Sequence, residues 1–375
     1  RHETDALEMM SRLPVPPTDH PTDDRPKDLL IVKLVPLDKA RVRLFAQAKG
    51  VDDPEAFFQE LDAAHAWPFS RRPFDVLALI KYWRRHGAFG SLRDLIELDL
   101  EEKLRETDDR AKLDPLGKEQ ARAGAMALAA AVAFCRSLDF AVPDDRTIAD
   151  EDAMDAAECL PEDWPPNHRQ AILNRAVFDG ASFGRVRFHH RRVAEYLAAE
   201  WLNERMAQGC KLETLDQLLF ESESGRRILR PSLAPVTAWL ACGDEECNQL
   251  TRQWILEADP TLFLRHDDPG SLPVDYRKTL LRKLVERYRG RHRVWIEDET
   301  ESLARIKHPD LAPVIRELAT DRGVSNDVRE ILLQVVRHGR LSACIDVALN
   351  IIADPNEAEA LKHYAVAAVR DAGDQ

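Results

Sequence analysis

Two adjacent histidines stand in the string Phe188-His189-His190-Arg191-Arg192, and of all side chains in this sequence they are the best suited to meet an anion. An imidazole Nε2–H can donate to a phosphate oxygen, and the charge of histidine is the one most easily adjusted near neutral pH. The same residues can equally do no more than cap a sheet-to-helix turn. Other chemistries lack their residues. No G-x-x-x-x-G-K-[ST] string occurs, and the single Gly-Lys pair, Gly117-Lys118, has no glycine five residues before it, so a phosphate-cradling loop is missing. Neither H-E-x-x-H nor G-x-S-x-G is present. The six cysteines are scattered, with no C-x-x-C and no histidine at zinc spacing. The sequence therefore predicts no catalytic residue and no metal ligand, and a reducing, cytoplasmic setting.

Two further stretches invite a chemical reading. Leu29-Leu30-Ile31-Val32 can form a strand, but Lys33 and Pro36 follow where a magnesium-binding acid would have to stand. It reads as a last sheet strand leading into helices. Between Arg277 and Arg293 there are eight Lys or Arg against one acid, Glu286. That run is either a solvated helix face paired with Glu297, Asp298, Glu299 and Glu301, or a surface for nucleic acid or an acidic partner. A net charge of -13 argues against a surface built throughout to neutralise phosphates, which confines any nucleic-acid role to a local patch.

The elements that must position these residues are mostly helical. At 375 residues the chain can hold several cores. Its longest uncharged run, Ala123 to Cys135, is too short to span a bilayer and predicts a buried helix rather than a membrane segment. The sequence opens on Arg1 with no signal-like segment and reads as a piece of a longer protein. After a Pro-rich opening, Asp38 can cap a helix carrying Val42, Phe45 and Ala46, ended by Gly50. Asp53 and Pro54 can start a second helix, with Phe57, Phe58, Leu61 and Ala64 inward. A third begins near Pro73 and buries Leu77 and Ile80, and Ser91-x-x-Asp94 has the spacing of a capping box. An Ala-rich helix is predicted over Pro115 to Leu138. Around Gly180 and Gly184 the period changes to two, predicting a hairpin with Val186 and Phe188 inward and Arg185 and Arg187 in water. A helix from Arg191 then carries Val193, Tyr196, Leu197 and Trp201. From Gly225 onward the pattern predicts stacked helix pairs and no strand. A shift of 33 residues lays Asp321 on Asp354, Val328 on Leu361, Leu333 on Val366 and Arg337 on Arg370, as in a repeat architecture.

The string Phe188-x-His190-x-x-Val193-x-Glu195-Tyr196-Leu197-Ala198-Ala199 resembles the motif that closes the winged helix of STAND NTPases of the NACHT type. Phe69-Ser70-Arg71-Arg72-Pro73-Phe74 is similar to their first helical domain, where a G-x-P motif sets a proline against adenine; Arg71 stands here in place of that glycine. Leu229-Arg230-Pro231, Thr237 to Ala241 and Asp268-Pro269-Gly270-Ser271-Leu272-Pro273 look like the region after the winged helix in large bacterial STAND proteins of antiviral defence.

The resemblance implies a mostly α architecture: residues 1–28 as the end of an NTPase core, 29–110 as a helical bundle in the NTPase lid, 111–190 as a winged-helix module with a small hairpin, 191–224 as linker helices and 225–375 as a HEAT-like α-solenoid. It implies that His190 and Pro73 contact ATP or ADP, with magnesium in the intact parent and no nucleotide on this piece alone. Implied partners are an upstream NTPase domain, a protein ligand on the solenoid and further copies on activation, with no membrane. Two other readings stay open: a solenoid scaffold that uses no nucleotide, and a winged-helix DNA reader using Arg185, Arg187, Arg191 and Arg192.

Overall fold

The computed structural model describes residues 37–63, 66–70, 72–89, 91–105, 114–142, 153–181, 185–263, 269–288 and 306–373. Leu29 to Val32, Gly184, the end of the basic run and its acidic neighbours at 297–301 lie outside the described residues.

Four helices come first: α1 (Lys39–Ala48), α2 (Pro54–Ala63), α3 (Pro73–His86) and α4 (Leu92–Lys103). Their starts follow the residues that satisfy free backbone N–H groups. Asp38 accepts from Arg41 N at 2.8 Å and Asp53 from Ala56 N at 3.0 Å, and Ser91 and Asp94 make the reciprocal capping box. Val42, Phe57, Phe58, Leu61, Val76, Leu79 and Ile80 form one core. On α3 the buried apolar residues are Val76, Leu79 and Ile80; Leu77 is only half-buried, because the helix turns a neighbouring stripe to the core. Helix α4 serves two cores, giving Leu95 to the first and Leu92, Ile96 and Leu100 to the second.

The second core is built on α5 (Lys118–Cys135), which packs along α8 (Arg191–Ala207). Alanines Ala121, Ala125 and Ala129 on α5 allow that close approach, and Gly124 leaves room for the Trp164 ring. Between them run β1 (Phe140–Ala141), β2 (Met154–Asp155), α6 (Ala156–Cys159), α7 (Pro166–Leu173), β3 (Phe178–Ala181) and β4 (Arg185–Phe188). The strands form a sheet in the order β2-β1-β4-β3, with Phe178 opposite Phe188. The predicted hairpin is thus half of a four-stranded sheet. Phe188 is buried and Arg187 exposed as expected, but Arg185 is turned to Asp139 at 3.6 Å and is not a water-facing residue.

Helix α9 (Leu212–Leu219) leads into β5 (Phe220–Glu223) and β6 (Arg226–Leu229). This hairpin corrects the expectation that no strand follows Gly225. Its turn holds Ser224 and Gly225 at φ 51° and 76°, the paired left-handed conformations of a two-residue hairpin turn. Arg227 fixes it by reaching Asp216 at 2.8 Å and Glu257 at 3.0 Å and lying over the Trp254 ring.

Helix pairs follow. They are α10 (Ala234–Ala241) with α11 (Glu246–Ala258), then α12 (Val274–Tyr288), α13 (Ala312–Thr320) with α14 (Asn326–His338), and α15 (Ile345–Ala353) with α16 (Glu359–Gly373). A short 3-10 turn precedes each of α10, α13 and α15, at Pro231–Leu233, Pro309–Leu311 and Ser342–Cys344. No helix among the described residues is long and apolar enough to cross a membrane.

Candidate functional site

The two histidines sit at the seam between the first bundle and the sheet. His190 is the N-cap residue of α8, with extended backbone, and its ring Nδ1 accepts from Arg192 N at 3.2 Å. An imidazole that accepts at Nδ1 carries its proton on Nε2, so the cap fixes the tautomer that can donate from Nε2. Burial, together with the charges of His189, Arg192 and Arg72, pushes the His190 pKa down to about 4. The ring is therefore neutral at pH 7 and offers a hydrogen bond rather than a positive charge. His190 is half-buried and lines a cavity of about 30 Å³ with Asp75, Ala78 and Leu79 of α3 and Asp99 of α4. That volume suits one or two waters and is far below a nucleotide site.

Pro73 is exposed at the first position of α3 and is not among the residues lining this cavity. Its neighbour Arg72 makes the link: the guanidinium donates to the His189 carbonyl at 2.5 Å and to Asp179 Oδ2 at 3.1 Å. The structure thus brings His190 to the helix that Pro73 begins, but not to Pro73 itself.

His189 is the more deeply buried of the pair, at 6% exposure. Its Nδ1 lies 2.9 Å from the Val177 carbonyl, an acceptor only, so Nδ1 carries a proton. Nε2 faces the Lys103 ammonium and Asp99 Oδ2 at 3.1 Å. In a neutral ring Nε2 accepts from Lys103; with a second proton it donates to Asp99. Lys103, itself 2% exposed, pairs with Asp99 at 2.8 Å and approaches Asp75 at 3.6 Å. Burial raises the Asp75 carboxyl pKa despite the Lys103 charge. Burial also opposes ionisation of Asp99, but the His189 hydrogen bond and Lys103 outweigh it and hold that carboxyl below its usual range. Asp75, Asp99 and His189 have the geometry of a metal-ligand set, yet the Lys103 ammonium already lies between the two carboxyls and contacts Nε2. A dication would have to displace it.

Beside this cluster, Glu97 of α4 takes both guanidinium nitrogens of Arg122, on α5, at 2.8 and 2.7 Å, and also accepts from the Tyr196 hydroxyl of α8. Burial raises the Glu97 pKa, but these hydrogen bonds prevail and hold it low. Glu195, in the motif string, pairs with Arg191 at 2.7 Å on its own helix. The seam thus combines three helices and the sheet through charge pairs whose removal would leave buried charge.

The sequence pointed to His190 and Pro73, of which only His190 lines the cavity, and passed over Asp75, Asp99 and Lys103. A signal existed: Lys103 falls on the apolar stripe Leu92, Ile96, Leu100 of α4 and four residues after Asp99, which places a cation inside the core beside its own counter-ion. Of the arginines a DNA reader would use, Arg187 is exposed while Arg185 and Arg191 are held by Asp139 and Glu195. The described part of the basic run, Arg277 to Arg287, is likewise engaged. Arg277 is buried and donates to the carbonyls of Leu272 at 2.7 Å and Lys307 at 2.9 Å, Arg282 pairs with Glu317 at 2.9 Å and Lys283 with Glu286 at 2.9 Å. Comparison with protein-family models, curated proteins and solved structures returned no match.

Proposed function

We propose that this chain is the regulatory lid and ligand-sensing region of an ATP/ADP-switched NTPase of the STAND (NACHT) type, with the sheet and its flanking helices as a winged helix and the C-terminal helix pairs as a HEAT-like sensor. The observation that carries the reading is His190. It caps α8 through Nδ1, which puts the ring proton on Nε2, and the ring lines the groove against α3, the helix that Pro73 begins. A neutral donor suits this task, because the charge of the hydrogen bond is supplied by the phosphate. The cavity is far smaller than a nucleotide, so phosphate-binding groups from outside this chain would complete the site. Nucleotide held there would favour the closed arrangement, and a ligand on the helix pairs would oppose it.

The test uses the full-length protein and mass spectrometry of nucleotide that co-purifies with it. His190→Leu removes one hydrogen bond to a charged group, about 1.5–3 kcal/mol, and should weaken ADP retention by about ten- to a hundredfold. His190→Asn, which keeps an oxygen for the Arg192 N–H, controls for loss of the cap. Equal ADP content in wild type and His190→Leu would reject the assignment. A second reading, a scaffold that uses no nucleotide, draws support from the repetition of the C-terminal helix pairs. It would be favoured by a full-length protein that purifies without ATP or ADP.

A further inference from the structure

The last two helix pairs repeat element by element at an offset of 33 residues: Pro309 falls on Ser342, the start of α13 at Ala312 on that of α15 at Ile345, and the start of α14 at Asn326 on that of α16 at Glu359. Asp321 and Asp354 end equivalent helices and accept from the equivalent backbone N–H groups of Gly323 and Asn356. This regularity lets the contacts of one pair be read as a guide to the other.

Among the described residues, the ion pairs across the junction run in one direction, from bases on the first pair to acids on the second. Arg316 reaches Asp346 at 2.9 Å, Arg337 reaches Asp371 at 2.5 Å, and Arg322 reaches Asp354. Arg329 grips Glu357 with two bonds of 2.8 Å. The preceding junction has the same sense, Arg282 to Glu317 at 2.9 Å. Arg329, Leu333, Val336 and Arg337 lie on one stripe of α14, and the two arginines show that this stripe faces the second pair. Leu333 and Val336 are accordingly buried at 1% and 0% exposure.

The corresponding stripe of α16 is Lys362, Val366, Val369 and Arg370. Val366 is 53% exposed where Leu333 is buried, and Val369 and Ile352 are half-buried where Val336 and Ala319 are fully covered. Leu349, 49% exposed, stands where Arg316 stands on the first pair. Lys362 and Arg370 keep the basic positions and reach Glu359 at 3.0 Å and Asp371 at 2.6 Å on their own helix. The second pair therefore repeats on its outer side the apolar, base-flanked face that the first pair buries.

We propose that this face of α15 and α16 is an interface whose occupant is a further helix pair of the same design, presenting an apolar surface bordered by carboxylates at the positions that Glu357 and Asp371 hold. Charge complementarity follows from the one-way ion pairs. The apolar match follows from the Leu333 and Val336 positions. A second copy meeting the same face would set base against base. The inference is independent of the nucleotide reading.

The test fuses a duplicate of residues 341–373 directly after Gly373, which places a third pair at the same offset. The duplicate carries Asp346→Leu, because Leu349 now stands where Arg316 stood. Amide exchange at Val366 and Val369 should slow by about tenfold or more against the unfused chain, and the melting temperature should rise. Val366→Asp should abolish both effects in the fused chain while leaving melting of the unfused chain unchanged. A fused pair that alters neither exchange nor melting would overturn the proposal. So would sedimentation showing the unfused chain to be a dimer that Val366→Asp dissolves, since a second copy would then hold the face.

Discussion

Replacing Lys103 by Met keeps the length of the side chain but withdraws the charge from between Asp75 and Asp99. With Lys103 at 2% exposure and 2.8 Å from Asp99, solvent cannot substitute for it. Removing one partner of a buried pair costs about 3–5 kcal/mol. The lower end is expected here, because the raised pKa of Asp75 lets that carboxyl take a proton, leaving Asp99 with its hydrogen bond to His189 at 3.1 Å. Without the Lys103 charge the Asp75 carboxyl, raised by burial already, is raised further above its unfolded value. Such groups are tolerated when protonated and become costly as pH rises through the folded pKa. The deficit of Lys103→Met should therefore be largest at pH 7 and shrink toward pH 5. Urea unfolding followed by tryptophan fluorescence, to which Trp67 and Trp83 of the first bundle contribute, measures it. A cost below about 1 kcal/mol at pH 7, or one that stays constant down to pH 5, would refute the argument that this charge locks the bundle to the sheet.

Gly124→Ala should destabilise even though alanine is the better helix former. The gain of about 1 kcal/mol in propensity is opposed by a Cβ placed 2.7 Å from Cη2 of the buried Trp164 ring, an overpacking cost of about 1–3 kcal/mol; a raised melting temperature would contradict this. Asp371 is held at about 2 by the hydrogen bonds of Arg370 and Arg337, down from 3.8. Its contribution is present above pH 4 and lost as pH falls toward 2. The side chain is 30% exposed, so Asp371→Asn should cost at most about 1 kcal/mol, with the difference from wild type gone by pH 2 in acid unfolding. A difference that persists to pH 2 would remove the ion pair as its cause.

Much of the local structure was legible because its causes are local. Asp38, Asp53 and the Ser91–Asp94 box start their helices where the sequence put them, since a cap acts on N–H groups two or three residues away. The 33-residue offset was equally visible and the helix pairs keep it. The strands β1 and β2 were not, because two residues are too few to show a period, and they exist only through pairing with each other and with β4. The β5–β6 hairpin was missed because its strands, Phe220–Glu223 and Arg226–Leu229, are mostly polar and show no clean alternation.

For the candidate site the division is sharper. The sequence alone selected His190, by its place in a string of recognisable residue types, and its role as the cap of α8 follows from that same stretch of chain. Only the tertiary structure could join Asp75, Asp99, Lys103 and His189, which come from α3, α4 and the end of the sheet. It likewise decided that Leu333 is covered and Val366 is not, although both occupy one position of the same repeat. Periodicity tells which side of a helix is apolar, while what lies against that side depends on elements distant in the chain.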